Sequence, residues 1–144
     1  MFKIRDGTKD DLNFITNSWL KSSRENVPEF SNFKIDGTLF WPYMKVIIDH
    51  ALKRCLVRVA VDLADENHII GYIVFDPYAE IRIIQWIYVK APFRRFGVAK
   101  GLLAETLLDL ESFQVAYNTV TADKLFKSTS IKYYNNSLAR VDLS

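Results

Sequence analysis

The sequence predicts an α/β protein: one domain over residues 1–144, with a mixed, mostly antiparallel central sheet flanked by helices. Three observations carry this. Apolar residues recur three and four apart in some stretches and gather as short β-branched runs in others. Three strand-like runs follow one another between residues 55 and 89, which favours antiparallel neighbours. A helix and a further strand come next, and a strand–helix–strand crossover adds parallel pairing. A chain of 144 residues fits one domain and can bury a core without covalent staples.

The elements read as follows. Phe2 to Arg5 alternates apolar and charged residues, a short strand ended by Gly7. Thr8 and Asp11 form a capping-box pair with Asp in the usual Glu place. Leu12, Phe14, Ile15, Trp19 and Leu20 then predict a helix over 9–22. Residues 23–37 read as a loop or broken helical stretch. Leu39, Phe40, Tyr43, Met44, Ile47, Ile48 and Ala51 mark a helix over 38–54, where Pro42 is tolerable only in the first turn. Cys55 to Val61 is a strand, Asp65-Glu66-Asn67 a turn, and Ile69 to Phe75 the returning strand, ended by Asp76-Pro77. Ile81 to Val89 is the third strand of that sheet. Leu102, Leu103, Thr106, Leu107 and Leu110 give the next helix its apolar face. Val115 to Val120 reads as a strand, Leu125 to Tyr134 as a helix, and Leu138 to Leu143 as a last short strand.

Composition narrows the function. Apolar residues make up 49% and charged residues 25%, the balance of a globular protein. Nineteen basic against 17 acidic residues leave a net charge of +2, which argues against a protein held to nucleic acid mainly by charge. One cysteine, Cys55, excludes a disulfide within the chain and a multi-thiolate zinc site. His50 and His68 leave little for a metal cluster, so no metal is expected. No apolar run reaches the roughly 18 residues of a membrane span, and Met1 to Arg5 is no signal peptide. The expectation is a reducing cytoplasm.

The segment with chemistry is Arg94-Arg95-Phe96-Gly97-Val98-Ala99-Lys100, between a long apolar strand and a helix. A helix start leaves its first N–H groups unpaired and carries partial positive charge, so it binds phosphate readily. Gly97 and Ala99 keep side chains out of the approach, and Arg94, Arg95 and Lys100 add cations. The pattern predicts a diphosphate site. It is not a Walker loop, because no Gly-Lys-Ser/Thr follows.

Arg-x-x-Gly-x-Ala after an apolar strand resembles the acetyl-coenzyme A motif of the GNAT N-acetyltransferase superfamily. The stretch from Ile87 to Leu103 is similar to that family's fourth strand, pyrophosphate loop and third helix, and the element order matches over nearly the whole chain. Asn17 to Ser22 and Gly71-Tyr72-Ile73-Val74 resemble small GNAT-like proteins of bacteriophages and prophages. The resemblance implies an acyl-CoA-dependent N-acyltransferase that moves acetyl from acetyl-CoA to an amine by direct attack. The main chain at Ile87, Tyr88 and Val89 would hold the pantetheine arm and polarise the thioester carbonyl. The turn residues Arg94, Arg95, Phe96, Gly97, Val98, Ala99 and Lys100 would hold the diphosphate. Tyr134 would protonate the leaving thiolate, as a Tyr on the family's last helix does.

Two departures stand out. The family's fourth-strand glutamate falls at Ile83, which takes no proton; Gln85, two residues on, can orient a substrate or a water but is no base. Only ten residues follow Tyr134, where the family usually has two strands, so a shortened C-terminus is expected, with the acceptor side open or completed by a second copy as a homodimer. Trp19, Arg24 and Trp41 fall in the early helices that line the family's acceptor groove, and a Trp–Arg pair suits a planar or anionic acceptor. The acceptor can be a small molecule, a host protein or a modified base. A binding module without turnover and a nucleic-acid base modifier are the alternatives.

Overall fold

The first strand, β1 (Phe2–Asp6), fixes through Arg5 where the first helix begins. In the computed structural model, which describes residues 1–27, 37–77, 82–106, 112–116 and 132–135, the Arg5 guanidinium forks onto Asp11. Nη1 reaches Oδ2 at 2.8 Å and Nη2 reaches Oδ1 at 3.0 Å. Asp11 Oδ2 also accepts the Thr8 N–H at 2.7 Å. The expected cap therefore forms, with Asp in the Glu role, around a single 3₁₀ turn at Lys9–Asp11. Helix α1 (Leu12–Asn26) follows and runs past its predicted end. It turns Ile15 and Trp19 inward, both without solvent exposure, together with Ser22 and Ser23. Helix α2 (Gly37–Arg54) does the same with Met44, Ile47, Ile48 and Ala51. Pro42 lies beyond the first turn of α2, where it forgoes one main-chain bond on an exposed face.

A hairpin follows. β2 (Leu56–Asp62) and β3 (Asp65–Asp76) pair antiparallel, with Asp62 opposite Asp65. The turn is therefore Leu63–Ala64, not Asp65–Asn67. Asp62 Oδ1 accepts the Ala64 N–H at 2.8 Å, and Asp65 Oδ1 accepts the Asn67 N–H at 3.0 Å. These side-chain acceptors let three polar residues continue a strand that their propensity disfavours. His68 consequently sits in β3 rather than in a turn.

β4 (Arg82–Val89) pairs antiparallel with β3, and helix α3 (Val98–Thr106) leads to β5 (Ser112–Val115), which pairs parallel with β4. The crossover predicted from the element order is present. β6 (Lys132–Asn135) extends the sheet parallel to β5, giving the order β1-β2-β3-β4-β5-β6. Here the expectation of a helix over Leu125 to Tyr134 fails at its end: Tyr133 and Tyr134 are strand residues. Aromatic pairs suit a strand at least as well as a helix, and β5 offers an edge to pair with. The rest of that predicted helix, the predicted strand from 117 to 120 and the one over Leu138 to Leu143 lie outside the described residues.

Two cores hold the layers. One face of the sheet packs Val59, Val61, Ile69, Tyr72, Val74 and Trp86 against α1 and α2. The other packs Ala60, Ile70, Ile73, Phe75 and Ile84 against Val98, Leu102 and Leu103 of α3. Trp19 stacks on Trp86 with ring centroids 5.9 Å apart and planes 12° from parallel, which pins α1 over β4. Emptying such a site costs about 3–5 kcal/mol.

Two consequences can be measured. A Cβ on Gly71 would lie 2.7 Å from the Tyr88 carbonyl oxygen, whereas one on Gly101 meets only ordinary contacts at 3.4 Å and beyond. Gly71→Ala is expected to lower the melting temperature by several degrees, at about 3 °C per kcal/mol; Gly101→Ala, in a helix, is expected to leave it unchanged or raise it. Arg5 bonding, then the Thr8 N–H, holds the Asp11 carboxyl below its ordinary range. Its stabilisation is therefore complete above the unfolded value of about 4 and is lost as pH falls through the lower folded value. Asp11→Asn should cost about 1–3 kcal/mol at neutral pH, and denaturant titrations should show that loss shrinking below about pH 4.

Candidate functional site: an open strand edge and an unpaired helix start

β4 places the site, and a bulge sets its phase. Val74 lies opposite Trp86, but the next β3 residue, Phe75, lies opposite Ile84, so Gln85 is the extra residue. Regular alternation would put Ile84 and Trp86 on one face. The bulge breaks it: Ile84, Ile87 and Val89 face α3, while Trp86 and Tyr88 face α1. Gln85 is 4% exposed at the centre of this break.

The same phase decides which main-chain groups are free. Lys90 N–H bonds the Ile70 carbonyl at 2.9 Å, so Lys90 and Tyr88 turn their main-chain groups toward β3. In an antiparallel ladder the residues that alternate with them turn the other way, so Ile87 and Val89 point to the opposite edge. β5 pairs with β4 only from Arg82 to Ile84, with Ala116 N–H on the Ile84 carbonyl at 3.0 Å. Further along, at Val89, a side chain covers that edge: Arg94 Nε donates to the Val89 carbonyl at 3.0 Å. Of the three residues predicted to hold a pantetheine arm, Ile87 and Val89 present their main chain to this edge, and Tyr88 does not.

The turn after β4 prepares a second set of donors. A 3₁₀ turn at Ala91–Phe93 closes with Phe93 N–H on the Lys90 carbonyl at 2.9 Å. Arg95 then takes φ 71° and Gly97 φ 81°, both left-handed. For arginine that conformation costs about 1–2 kcal/mol, and it reverses the chain into α3. The first main-chain bond of α3 is Gly101 N–H to Gly97 carbonyl at 2.9 Å. Among the described residues, the N–H groups from Arg95 to Lys100 have no main-chain acceptor. A Cβ built on Gly97 meets nothing within 4 Å, so the space before these amides is open. Val98, 2% exposed, anchors the turn in the α3 core, while Arg94, Arg95, Phe96 and Lys100 are exposed. Open space, unpaired donors and three cations fit a diphosphate.

The other sequence candidates are not all brought together here. Trp19 is a correction: at zero exposure and stacked on Trp86, it offers no surface to an acceptor. Arg24 instead lies with its guanidinium carbon 5.6 Å from the Trp41 ring centre, on the far flank of α1. The Tyr134 backbone sits in β6 opposite Gln114, which in turn lies opposite Ile83. That puts it about 10 Å from β4 across the sheet, at two strand spacings. Cys55 is no nucleophile: burial, then the charge of Asp76, pushes its thiol up to about 12. His68 Nδ1 faces Asp62 Oδ2 at 3.7 Å and lies beside the Phe93 ring.

In the sequence Asp76 reads only as a strand end before Pro77. It lies directly opposite Ile83 in the ladder, is 1% exposed, and pairs with Arg54 Nη2 at 2.7 Å. Directly opposed residues share a sheet face. A buried carboxylate therefore sits beside the position where Ile83 replaces a glutamate. Among the described residues no three metal-binding side chains gather, and no helix is long and apolar enough to cross a membrane.

Solved structures share this architecture. A histone acetyltransferase HPA2 and related acetyltransferase from Corynebacterium glutamicum superposes with a TM-score of 0.61 at 15% identity, covering 88% of this chain and 82% of that one. A Pyrococcus furiosus protein assigned as an acetyl transferase gives 0.61 at 16% identity, over 100% of this chain and 85% of that one. A GNAT-family acetyltransferase of Staphylococcus aureus gives 0.51 at 16%, over 75% of this chain and 65% of that one. No protein of curated function matches the chain by sequence. The sequence profile of the acetyltransferase (GNAT) family matches residues 15–134. With that span, the shared fold and the strand–turn–helix just described, the chain belongs to the GNAT acetyltransferase family.

Proposed function

We propose that the chain is an acyl-CoA-dependent N-acyltransferase, one domain over residues 1–144, that moves acetyl from acetyl-CoA to an amine. The observation that carries this is the row of N–H groups at the start of α3 that, among the described residues, have no main-chain acceptor, beside the stretch of β4 at Ile87 and Val89 that the described β5 ladder does not reach. The amides of Arg95 to Lys100 take the diphosphate, with Arg94, Arg95 and Lys100 as counter-charges. Ile87 and Val89 pair with the pantetheine arm once Arg94 leaves the Val89 carbonyl. When bound, acetyl-CoA supplies an activated thioester open to direct attack. Once the carbon–nitrogen bond forms, the nitrogen becomes far more acidic than a free amine, so a carboxylate suffices to take its proton. In this reading Asp76, opposite Ile83 in the ladder, takes that role, with Gln85 orienting the amine or a water between them. Tyr134 protonates the departing sulfur. The acceptor amine belongs to a small molecule, a host protein or a modified base, and a second copy of the chain can complete its side of the site.

A second reading is a GNAT-fold binding module without turnover, favoured by the apolar Ile83 in the glutamate position. Calorimetry with CoA and thiol release from acetyl-CoA over an amine panel separate the two. Binding with turnover supports the transferase, and binding alone supports the module. Absence of CoA binding, with DNA affinity that collapses at moderate salt, replaces both with a base modifier.

Gly97→Val is expected to weaken CoA binding at least about tenfold, because it strains a left-handed residue and fills the space before the amides. Tyr134→Phe and Asp76→Asn are expected to lower kcat about 10²-fold or more with CoA affinity intact. Unchanged kcat in either variant removes that residue from its role.

A further inference from the structure

Arg94 links the turn into α3 to the edge of β4. Its Nε donates to the Val89 carbonyl at 3.0 Å, five residues back along the chain. For an arginine this is a weak contact. The side chain is exposed and the acceptor is a neutral oxygen, reached by a single bond. Arg5, by contrast, forks onto the Asp11 carboxylate with two bonds, and Arg54 pairs with the buried Asp76. Among the described residues the two Nη groups of Arg94 meet no acceptor. The guanidinium therefore keeps its capacity for a two-bond contact with an anion. The chain turns left-handed at the next residue, Arg95, and the N–H groups from there to Lys100 have no main-chain acceptor among the described residues. A long side chain at this point reaches either the strand edge or the space before those amides.

We propose that Arg94 is a specificity-determining residue: it latches the Val89 carbonyl and so restricts the donor site to thioesters that carry a diphosphate, against the bare pantetheine arm. This inference rests on the acyl-CoA reading of the site. Its physical basis is an exchange of partners. A pantetheine arm that pairs with Val89 must displace Arg94 from the carbonyl. A donor without a diphosphate offers the guanidinium no new partner, so the lost bond counts against binding. A donor with a diphosphate places phosphate oxygens before the α3 amides, where two charge-assisted bonds replace one to a neutral oxygen. The two halves of the donor therefore favour each other's binding. Such coupling is reciprocal: the diphosphate opens the strand edge for the arm, and the arm releases Arg94 to the diphosphate.

Titration of ¹⁵N-labelled protein with pantetheine, ADP and CoA, followed by NMR at the Val89, Lys90 and Gly97 amides and the Arg94 Nε–H, tests this without turnover. In the wild-type chain, saturating ADP is expected to tighten pantetheine about threefold to tenfold, the worth of one hydrogen bond, and to shift the Arg94 Nε–H signal. Arg94→Ala should act with opposite signs on the two fragments. Pantetheine alone binds about threefold to tenfold tighter and no longer responds to ADP, while ADP and CoA bind more weakly. A purely structural role for Arg94 would move all three ligands in one direction. Lys100→Ala, which removes an exposed cation of the same turn without touching Val89, should weaken ADP and CoA and leave pantetheine unchanged. Pantetheine that binds no tighter to Arg94→Ala, or that ignores ADP in the wild-type chain, overturns the latch, and CoA binding in the same experiment leaves the acyl-CoA reading standing. Absence of CoA binding to the wild-type chain overturns both.

Discussion

One extra residue in β4 governs the arrangement of the molecule. Without the bulge at Gln85, Trp86 would face α3 and could not stack on Trp19. α1 would lose its anchor above the sheet, and Ile87 and Val89 would turn their main-chain groups into the β3 ladder. A strand has period two, so a single insertion exchanges faces and edges for every residue after it. The core and the open edge are therefore two results of one irregularity.

Conformational cost concentrates close by. Arg95 holds a left-handed backbone that side chains disfavour, and Gly97 repeats the conformation at low cost. Between them they turn the chain from β4 into α3 within a few residues. Val98 provides the compensating burial by inserting into the α3 core. A rigid support beneath and unpaired donors above are what binding an anion through main-chain groups demands, because donors already in place need no ordering when the anion arrives. Arg94 has a dual position here: it neighbours the donors and also covers the Val89 carbonyl.

Legibility followed distance along the chain. The strand–turn–helix from Ile87 to Leu103 could be read directly, because its glycine, cations and apolar spacing are local. The α1 cap was legible for the same reason, with Thr8 and Asp11 three residues apart. Trp19 illustrates the limit. Helical phase placed it on the apolar face, but its partner Trp86 lies far along the chain and reaches it only through the bulge. Asp76 illustrates another: its relation to Ile83 exists only in the β3–β4 register, which no sequence spacing encodes. Tyr133 and Tyr134 fit either a helix or a strand by sequence, because an aromatic pair is compatible with both periods, and the strand edge of β5 decides for the strand.

By itself, the amino-acid sequence determined the alternation of helices and strands, the crossover that makes the sheet mixed, and the glycine and cations of the turn into α3. Each of these rests on spacing or chemistry within a few residues. Only the tertiary structure decided the bulge, the edge to which Ile87 and Val89 turn, the carboxylate beside Ile83 and the Arg24–Trp41 pair. Strand register and helix packing join groups that are remote in the chain, and those pairings are selected by burial and main-chain bonding across the whole sheet.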